Sequence, residues 1–291
     1  REGAPVKFAF IRDNRGAFSV SVMCDVFKVA PAGYYAWLDR PESPRASRAR
    51  ELTEQIRVVH RETRGVYGSI KVAKELRHRG HKVNRKTVAR LMAQAGIRSK
   101  VHQRFRVRTT DSGHANPVAP NTLNREFTVE GLDRVWAADI TYIHTDEGVL
   151  YLAGIMDLCS RRIIGWSMSD TMTTRLVEDA LDMAIRSRRA SDGLLHHSDR
   201  GVQYTSGRYR EVLEEHGIEA SMSRTGDCYD NAVVESFWGK LKTEMAYHER
   251  FATMAQARAA VFDYIEVFYN RQRLHAAIGY VSPEQFEASR R

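Results

Sequence analysis

Residues 135–169 place the tightest constraint on what this chain can fold into. Three strand-like runs stand there in quick succession, Val135–Thr145, Val149–Met156 and Arg161–Ser169. Only Asp146-Glu147-Gly148 and Asp157-Leu158-Cys159-Ser160 separate them. A parallel neighbour needs a crossover of about a dozen residues or more, so strands this close predict an antiparallel meander. The first run, Val135-Trp136-Ala137-Ala138-Asp139-Ile140-Thr141-Tyr142-Ile143, carries an acid at its centre. A carboxylate inside an apolar strand is costly unless it is paired or binds a cation.

The pattern after the meander alternates. A helix is predicted from Thr173 to Arg188, with Leu176, Ala180, Met183 and Ala184 inward. Then come a strand over 194–198, a helix near 206–216, a short strand near 218–222 and a helix through Glu235. Three antiparallel strands followed by alternating helix and strand describe an α/β fold of the ribonuclease-H-like kind. Asp199 ends the fourth strand, in Leu194-Leu195-His196-His197-Ser198-Asp199-Arg200-Gly201. Adjacent strands can therefore bring Asp139 and Asp199 to one edge. Glu235 follows after 35 intervening residues, in Asn231-Ala232-Val233-Val234-Glu235-Ser236-Phe237-Trp238. On its helix Asn231, Glu235, Trp238 and Lys242 share one face, while Val234, Phe237, Leu241 and Met245 form the stripe that packs on the sheet.

Three carboxylates on separate elements suggest a divalent-metal site for phosphoryl transfer. Mg²⁺ takes oxygen ligands and uses few protein carboxylates. In two-metal chemistry the ions lie about 3.5–4 Å apart and flank the reacting phosphate. Asp139 is the expected bridge, with Asp199 and Glu235 each completing one ion. Asn231 and Lys242 face the same way and are candidates to hold DNA; a solvated helix lysine is the alternative for Lys242. His197 either orients Asp199 or touches a ligand. Arg271 and His275, with Asn270 and Arg273 near, either contact DNA or buttress the catalytic helix. The remaining acids have plainer uses: Asp146 and Glu147 in a hairpin turn, Asp157 in a turn, Asp227 and Asp230 as caps of the Glu235 helix. Thr253–Tyr269 is predicted as one amphipathic helix, with Met254, Ala257, Val261, Tyr264, Ile265 and Phe268 in the core.

The front of the chain has a different character. Residues 1–126 hold 26 Lys and Arg against 11 Asp and Glu, whereas residues 127–291 hold 19 against 25. A basic front joined to a mildly acidic back reads as a polyanion-binding module tethered to something else. Within residues 1–45, Ser19 caps a helix through about Phe27, with Val22, Met23 and Val26 inward. A second helix runs from Ala32 to about Leu38, so the pair makes a small helix-turn-helix unit. Residues 46–108 form a second such unit. Its helices run from Ser47 to Thr63, from Ser69 to Gly80 with Ile70, Ala73 and Leu76 inward, and from Arg85 to Ala95 behind an Asn84 cap. Arg85, Lys86 and Arg90 lie on the outer face of the last helix, and Arg98, Lys100, Arg104, Arg106 and Arg108 follow as a basic arm. The arrangement reads as a DNA-binding domain with a recognition helix; the alternative is a three-helix bundle with basic solvated faces. Residues 109–125, with Pro117 and Pro120, form a linker. Residues 126–291 form the catalytic domain with a C-terminal helical extension.

Several classes are excluded. No run of 18 apolar residues spans a membrane, and the start lacks a secretory h-region. Cys24, Cys159 and Cys228 are odd in number and widely spaced, which predicts no zinc site and a reducing, cytoplasmic setting. A tyrosine recombinase needs an Arg-x-x-His pair, and Arg271 and His275 have the wrong spacing.

At these residues the chain resembles a known family, the insertion-sequence transposases with a retroviral-integrase-like catalytic core, and in particular the downstream-frame protein of two-frame bacterial elements. Val66-Tyr67-Gly68 with Asn84–Ala95, Trp136 through Tyr142, and His197 through Tyr204 carry the likeness. So do Cys228-Tyr229-Asp230-Asn231-Ala232 through Glu235 and Lys242, and Tyr269-Asn270-Arg271 through His275 to Ser282-Pro283. The resemblance implies Asp139, Asp199 and Glu235 as the metal-binding triad, with two Mg²⁺ (or Mn²⁺) ions per active site. It implies double-stranded DNA as partner, both element terminal repeats and target. It further implies cleavage at element ends, strand transfer by a free 3′-hydroxyl, a DNA circle as intermediate, and a bacterial, nucleoid-associated location. Joining two ends predicts at least a dimer on paired ends. The zinc module of retroviral integrases is absent, and helix-turn-helix units occupy its place. The chain begins at Arg1 rather than Met and contains no heptad zipper. A trimmed chain, or one that works with or is fused by frameshifting to an upstream-frame protein, has such a start. The competing reading of function is a transposase-derived, sequence-specific DNA-binding regulator whose catalysis is unused. A nuclease for RNA–DNA hybrids shares the fold, but the basic front favours a binder of DNA ends.

Overall fold

A computed structural model describes residues 3–101, 118–124, 129–188, 193–223 and 231–290. By packing, the chain divides into two compact units, 1–55 and 56–291. The first unit holds three helices, α1 (Ala4–Asn14), α2 (Val20–Phe27) and α3 (Pro31–Leu38). Pro5 and Pro31 sit in the first turns of α1 and α3, where a missing N–H costs nothing. The sequence reading missed α1, whose Phe8 and Ile11 join Met23, Cys24 and Tyr34 in a small core. That extra helix reorients α2. Met23 is buried as expected, but Val22 and Val26, also expected inward, are exposed, and Cys24 is buried in their stead.

The second unit opens with the rest of α4 (Pro44–Glu62), followed by α5 (Ser69–His78) and α6 (Arg85–Gln94). Ile56, Val59, Val72, Ala73, Leu76, Val88, Leu91 and Met92 are buried along them. Ile70, expected inward, is exposed, because Val72, Ala73 and Leu76 take the buried stripe. The Asn84 side chain accepts the Thr87 N–H at 2.8 Å, the cap expected for α6. Gly80 and Gly96 end α5 and α6 with φ of 85° and 68°, conformations that disfavour other residues. Arg85, Lys86 and Arg90 are exposed on α6, and Arg90 donates to Gln94. Arg104, Arg106 and Arg108 lie outside the described residues, as does most of the expected linker.

The meander is present as β1 (Val135–Thr145), β2 (Gly148–Asp157) and β3 (Ile163–Ser169), all antiparallel. After α7 (Thr174–Ser187), β4 (Leu195–Ser198) pairs parallel to β1; after α8 (Gly207–Glu215), β5 (Glu219–Met222) pairs parallel to β4. The resulting order is β3-β2-β1-β4-β5, the mixed ribonuclease-H-like sheet expected from the sequence. Trp136, Ala138, Ala153 and Ile155 pack on one face against Leu176, Val177, Ala180 and Leu181 of α7 and Tyr209 and Leu213 of α8. Gly165 makes that contact possible, since an added Cβ there would lie 2.2 Å from the Ala180 carbonyl oxygen.

The opposite face meets α9 (Ala232–Glu244) and α10 (Met254–Phe262). Val234, Phe237, Leu241 and Met245 are all buried, the stripe expected. The last long helix differs from expectation. It stays α-helical only to Phe262 and then widens into a π-helical stretch, Asp263–Tyr269. The extra residue per turn lets Tyr264 and Ile265 and then Phe268 and Tyr269 all face inward, and Asn270 N–H closes on the Ile265 carbonyl. A short helix, α11 (Pro283–Ala288), ends the chain behind a Ser282 capping box. Among the described residues no helix is long and apolar enough to cross a membrane.

Candidate active site

The pleat of β1 decides where Asp139 points. Trp136 and Ala138 face α7 and α8, so Asp139 faces α9. Its partner across the ladder is Gly154 on β2. An added Cβ at Gly154 would lie 2.7 Å from Cη2 and 3.2 Å from Cζ2 of Trp238. Because that Cβ is missing, the Trp238 indole lies over β2 and its Nε1 donates to Asp139 Oδ2 at 3.0 Å. The Ile140 N–H donates to the other oxygen, Oδ1, at 2.8 Å. One rotamer of the carboxylate is thus held from both sides, and each oxygen keeps a lone pair for a further ligand.

Asn231, one turn before Glu235, donates its Nδ2 to the Ala138 carbonyl at 3.0 Å and so ties the start of α9 to β1. Its buried Oδ1 has no partner among the described residues. Lys242 is also buried, its Nζ 4.5 Å from the centre of the Tyr142 ring. Burial lowers its pKa, and the Asp139 charge opposes that effect.

Asp199 leaves the end of β4 beside β1. The Gly201 N–H donates to its Oδ1 at 2.8 Å, and the Arg200 Nε donates to the Ser223 carbonyl at 2.6 Å, fixing the loop. His197 is buried with Nδ1 2.9 Å from Ser221 Oγ and Nε2 3.2 Å from Ser223 Oγ. Both ring nitrogens therefore brace β4 against β5 and the residue after it.

The three acids sense one another. Burial pushes the Asp139 carboxyl well above its ordinary range, and the Asp199 charge adds to that more than Glu235 does. Glu235 is more exposed, and its pKa is raised by partial burial and then by Asp199. Asp199 is thus the acid that both others feel. Tyr204 is buried in the core on the α7 and α8 side, against His196 and Tyr209; burial raises its pKa, Tyr209 and then the charges of Asp139 and Asp199 add to that, and its hydroxyl lacks a partner among the described residues.

Among the described residues no three His, Cys, Asp or Glu side chains form a closed ligand set. A Mg²⁺ site does not require one, since that ion is usually held by one or two carboxylates, waters and substrate phosphate. Asp139 and Asp199 repel each other in a partly dry pocket, which a divalent cation would relieve. The unpartnered Oδ1 of Asn231, whose Nδ2 bonds the carbonyl just before Asp139, suits the waters of such an ion. The donor set fits a hard cation.

Of the other sequence candidates, Asp157 makes the expected turn, accepting from Ser160 N and Oγ at 3.0 and 2.7 Å. Asp146 pairs with Arg250, and Glu147 accepts the Met254 N–H at 2.7 Å. Asp227 and Asp230 lie outside the described residues. Around residue 270, Asn270 clamps both backbone groups of Ile163, Arg273 pairs with Glu244 of α9, and His275 is buried against Tyr269. Arg271 is exposed.

Residues 131–228 and 235–290 each match a family described as Integrase core domain, and residues 47–105 match one described as HTH-like domain. The insertion element IS600 uncharacterized 31 kDa protein of Shigella sonnei is 46% identical over 264 residues, covering 91% of this chain and 97% of that protein. The transposase InsF for insertion sequence IS3A of Escherichia coli (strain K12) is 42% identical over 284 residues, 97% of this chain and 98% of the relative. Among solved structures, a simian T-cell lymphotropic virus intasome aligns over 78% of this chain and 72% of its own, with 16% identity and a TM-score of 0.46. The catalytic core domain of BIV integrase aligns over 54% of this chain and 96% of its own, with 21% identity and a TM-score of 0.40.

Proposed function

The chain belongs to the insertion-sequence transposases with an integrase core, DNA transposases that cleave and join DNA strands, and from that premise we propose that Asp139, Asp199 and Glu235 form its metal-dependent active site. The observation that carries this reading is the mutual electrostatic coupling of the three acids, with Asp139 clamped at the centre. Asp139 and Asp199 would hold Mg²⁺ or Mn²⁺, with Glu235 completing the second of two ions. Such ions supply a lowered barrier for attack on, and departure from, a phosphorus centre. Trp238 and the Ile140 N–H keep the Asp139 carboxylate aimed. Asn231 offers its Oδ1 to ordered water.

The front of the chain supplies DNA affinity. We assign residues 46–108 to end binding, with Arg85, Lys86 and Arg90 of α6 presented to the duplex and Arg104, Arg106 and Arg108 as a backbone-binding arm. Residues 109–125 then join this domain to the catalytic domain, 126–291. Lys242 and Arg271 lie on the catalytic domain and are further candidates for DNA contact. The element's terminal repeats and the target are the double-stranded partners, and the assembly on paired ends contains at least two copies. An upstream-frame protein is a further partner.

Substitution and metal exchange test the site together. Asp139→Asn, Asp199→Asn and Glu235→Gln are each expected to abolish nicking and joining while leaving affinity for element ends near wild type. Mg²⁺ or Mn²⁺ should support the reaction, and Ca²⁺ should support binding with little chemistry, because it tolerates looser geometry. Full activity in any one variant removes that residue from the site, and robust activity in a chelator overturns the metal reading. Nicking of element ends by the wild-type chain also excludes a regulator whose catalysis is unused.

A further inference from the structure

The seam between α5, the end of α9 and residues 270–275 gathers more cations than carboxylates. Tyr67 joins the two sides: its hydroxyl donates to the Gln272 carbonyl at 3.2 Å and accepts the Leu274 N–H at 2.7 Å. Arg64 adds an ion pair to Asp263 at 2.6 Å. Glu244, buried at the end of α9, accepts from Arg273 Nε at 2.8 Å and from the Tyr264 hydroxyl at 2.9 Å. Arg273 therefore holds the ion pair with Glu244, whose charge is also felt by the lysines nearby.

Two lysines remain beside this pair. Lys71 on α5 holds its Nζ 5.0 Å from the centre of the Tyr67 ring. Lys240, one helical turn before Glu244, donates to Ser236 Oγ at 2.9 Å. Neither forms an ion pair among the described residues, and both are half-buried, so an outside ligand can reach them. His275 lies against the same group, buried, with Nε2 unpartnered among the described residues. The cations repel one another: Lys71 feels Arg273 and Lys240, and Lys240 feels Arg273 and Arg161, with Glu244 opposing the effect on both lysines. Partial burial and this repulsion lower Lys71 to about 7 and Lys240 to about 8. Like charges drawn out of water without an anion are costly, and an anion among them recovers that cost.

We propose that this seam binds a backbone phosphate of DNA, held by Lys71 and Lys240. The choice of DNA as the polyanion rests on the transposase reading. The consequence is specific. Lys71 stands on the helix before α6, and Lys240 stands five residues after Glu235 on α9. One phosphate gripped by both ties duplex on the helix-turn-helix region to the helix that carries a catalytic acid.

Lysine acylation of the full-length chain, read by mass spectrometry with and without duplex DNA, tests this without any variant. Lys71 and Lys240 should react in the free protein and be protected together by DNA. Continued reaction of either at saturating DNA overturns the site. Inorganic phosphate alone protecting both as fully as DNA identifies a small-anion site and overturns the DNA assignment. Lys71→Met and Lys240→Met keep the aliphatic stems and remove the charge. Each should lower the salt slope of DNA binding by about 0.9 and weaken binding about fivefold at 0.15 M salt. Arg175→Gln, an equal loss of charge on the exposed side of α7, should change affinity by less than about twofold. If it weakens binding as much as the lysine variants do, the effect is general charge and the seam is not a site. Unchanged affinity in both lysine variants refutes the seam and leaves the transposase reading intact.

Discussion

Replacing Gly154 with Ala tests whether the active site depends on a missing methyl group. The new Cβ would stand 2.7 Å from Cη2 of Trp238. Trp238 is buried and packs on Phe237 with ring centroids 4.7 Å apart, so the indole cannot swing aside freely. Overpacking of this kind costs about 1–3 kcal/mol of stability. The shift that relieves the clash also pulls Nε1 from Asp139 Oδ2, a hydrogen bond to a charged group worth about 1.5–3 kcal/mol. If half of that is expressed in the transition state, strand transfer slows by about fourfold to tenfold. Trp238→Phe removes the N–H and the outer ring together, so it should slow catalysis alone. The double variant separates the two effects. Phe leaves room for the Ala methyl, so the stability losses should be less than additive by about 1 kcal/mol, while activity stays at the Trp238→Phe level. Urea unfolding and a nicking assay on the four proteins close the cycle. Additive stability losses, or wild-type nicking by the Gly154→Ala chain, would refute the reasoning.

Acid stability follows from two buried imidazoles. Burial lowers His196 to about 3 and lowers His275 further still, so both stay neutral in the folded chain while the unfolded chain takes up protons near pH 6.5. Their folded pKa values are depressed, so stability is full above about pH 6.5 and falls below it by about 1.4 kcal/mol per pH unit for each histidine. Equal unfolding free energies at about pH 7 and pH 5 would count against this. Glu244→Gln leaves the buried Arg273 without its counter-charge and should cost about 3–5 kcal/mol, seen as a lowered urea midpoint; a loss under about 1 kcal/mol means the pair does not hold the seam. Arg85→Ala and Lys86→Ala should reduce discrimination between element ends and scrambled duplex by about 1–3 kcal/mol if they reach base edges. A uniform loss on both DNAs would assign them to the backbone instead.

What could be read in the sequence depended on how local the signal was. β1 to β3 were legible because two short turns leave no room for a crossover, and the Val234-Phe237-Leu241-Met245 stripe was legible because it repeats at helical spacing. Asp139, Asp199 and Glu235 stood out because acids in apolar surroundings demand a reason. The rest depends on partners far apart in the chain. Gly154 shows no periodicity, and only the approach of Trp238, 84 residues on, explains why no side chain is tolerated there. The π-helical stretch was hidden because Tyr264-Ile265 and Phe268 also fit an α-helical stripe; only the burial of Tyr269 and the closing bond from Asn270 to Ile265 reveal the extra residue. That extra residue has a use. It turns Asn270 onto Ile163 and carries the chain on to Arg273, which reaches Glu244 at the far end of α9. The helix bearing Glu235 is therefore fixed at its start by Asn231 on β1 and at its end by Arg273. The placement of the third acid is a property of the whole C-terminal extension and not of its own helix.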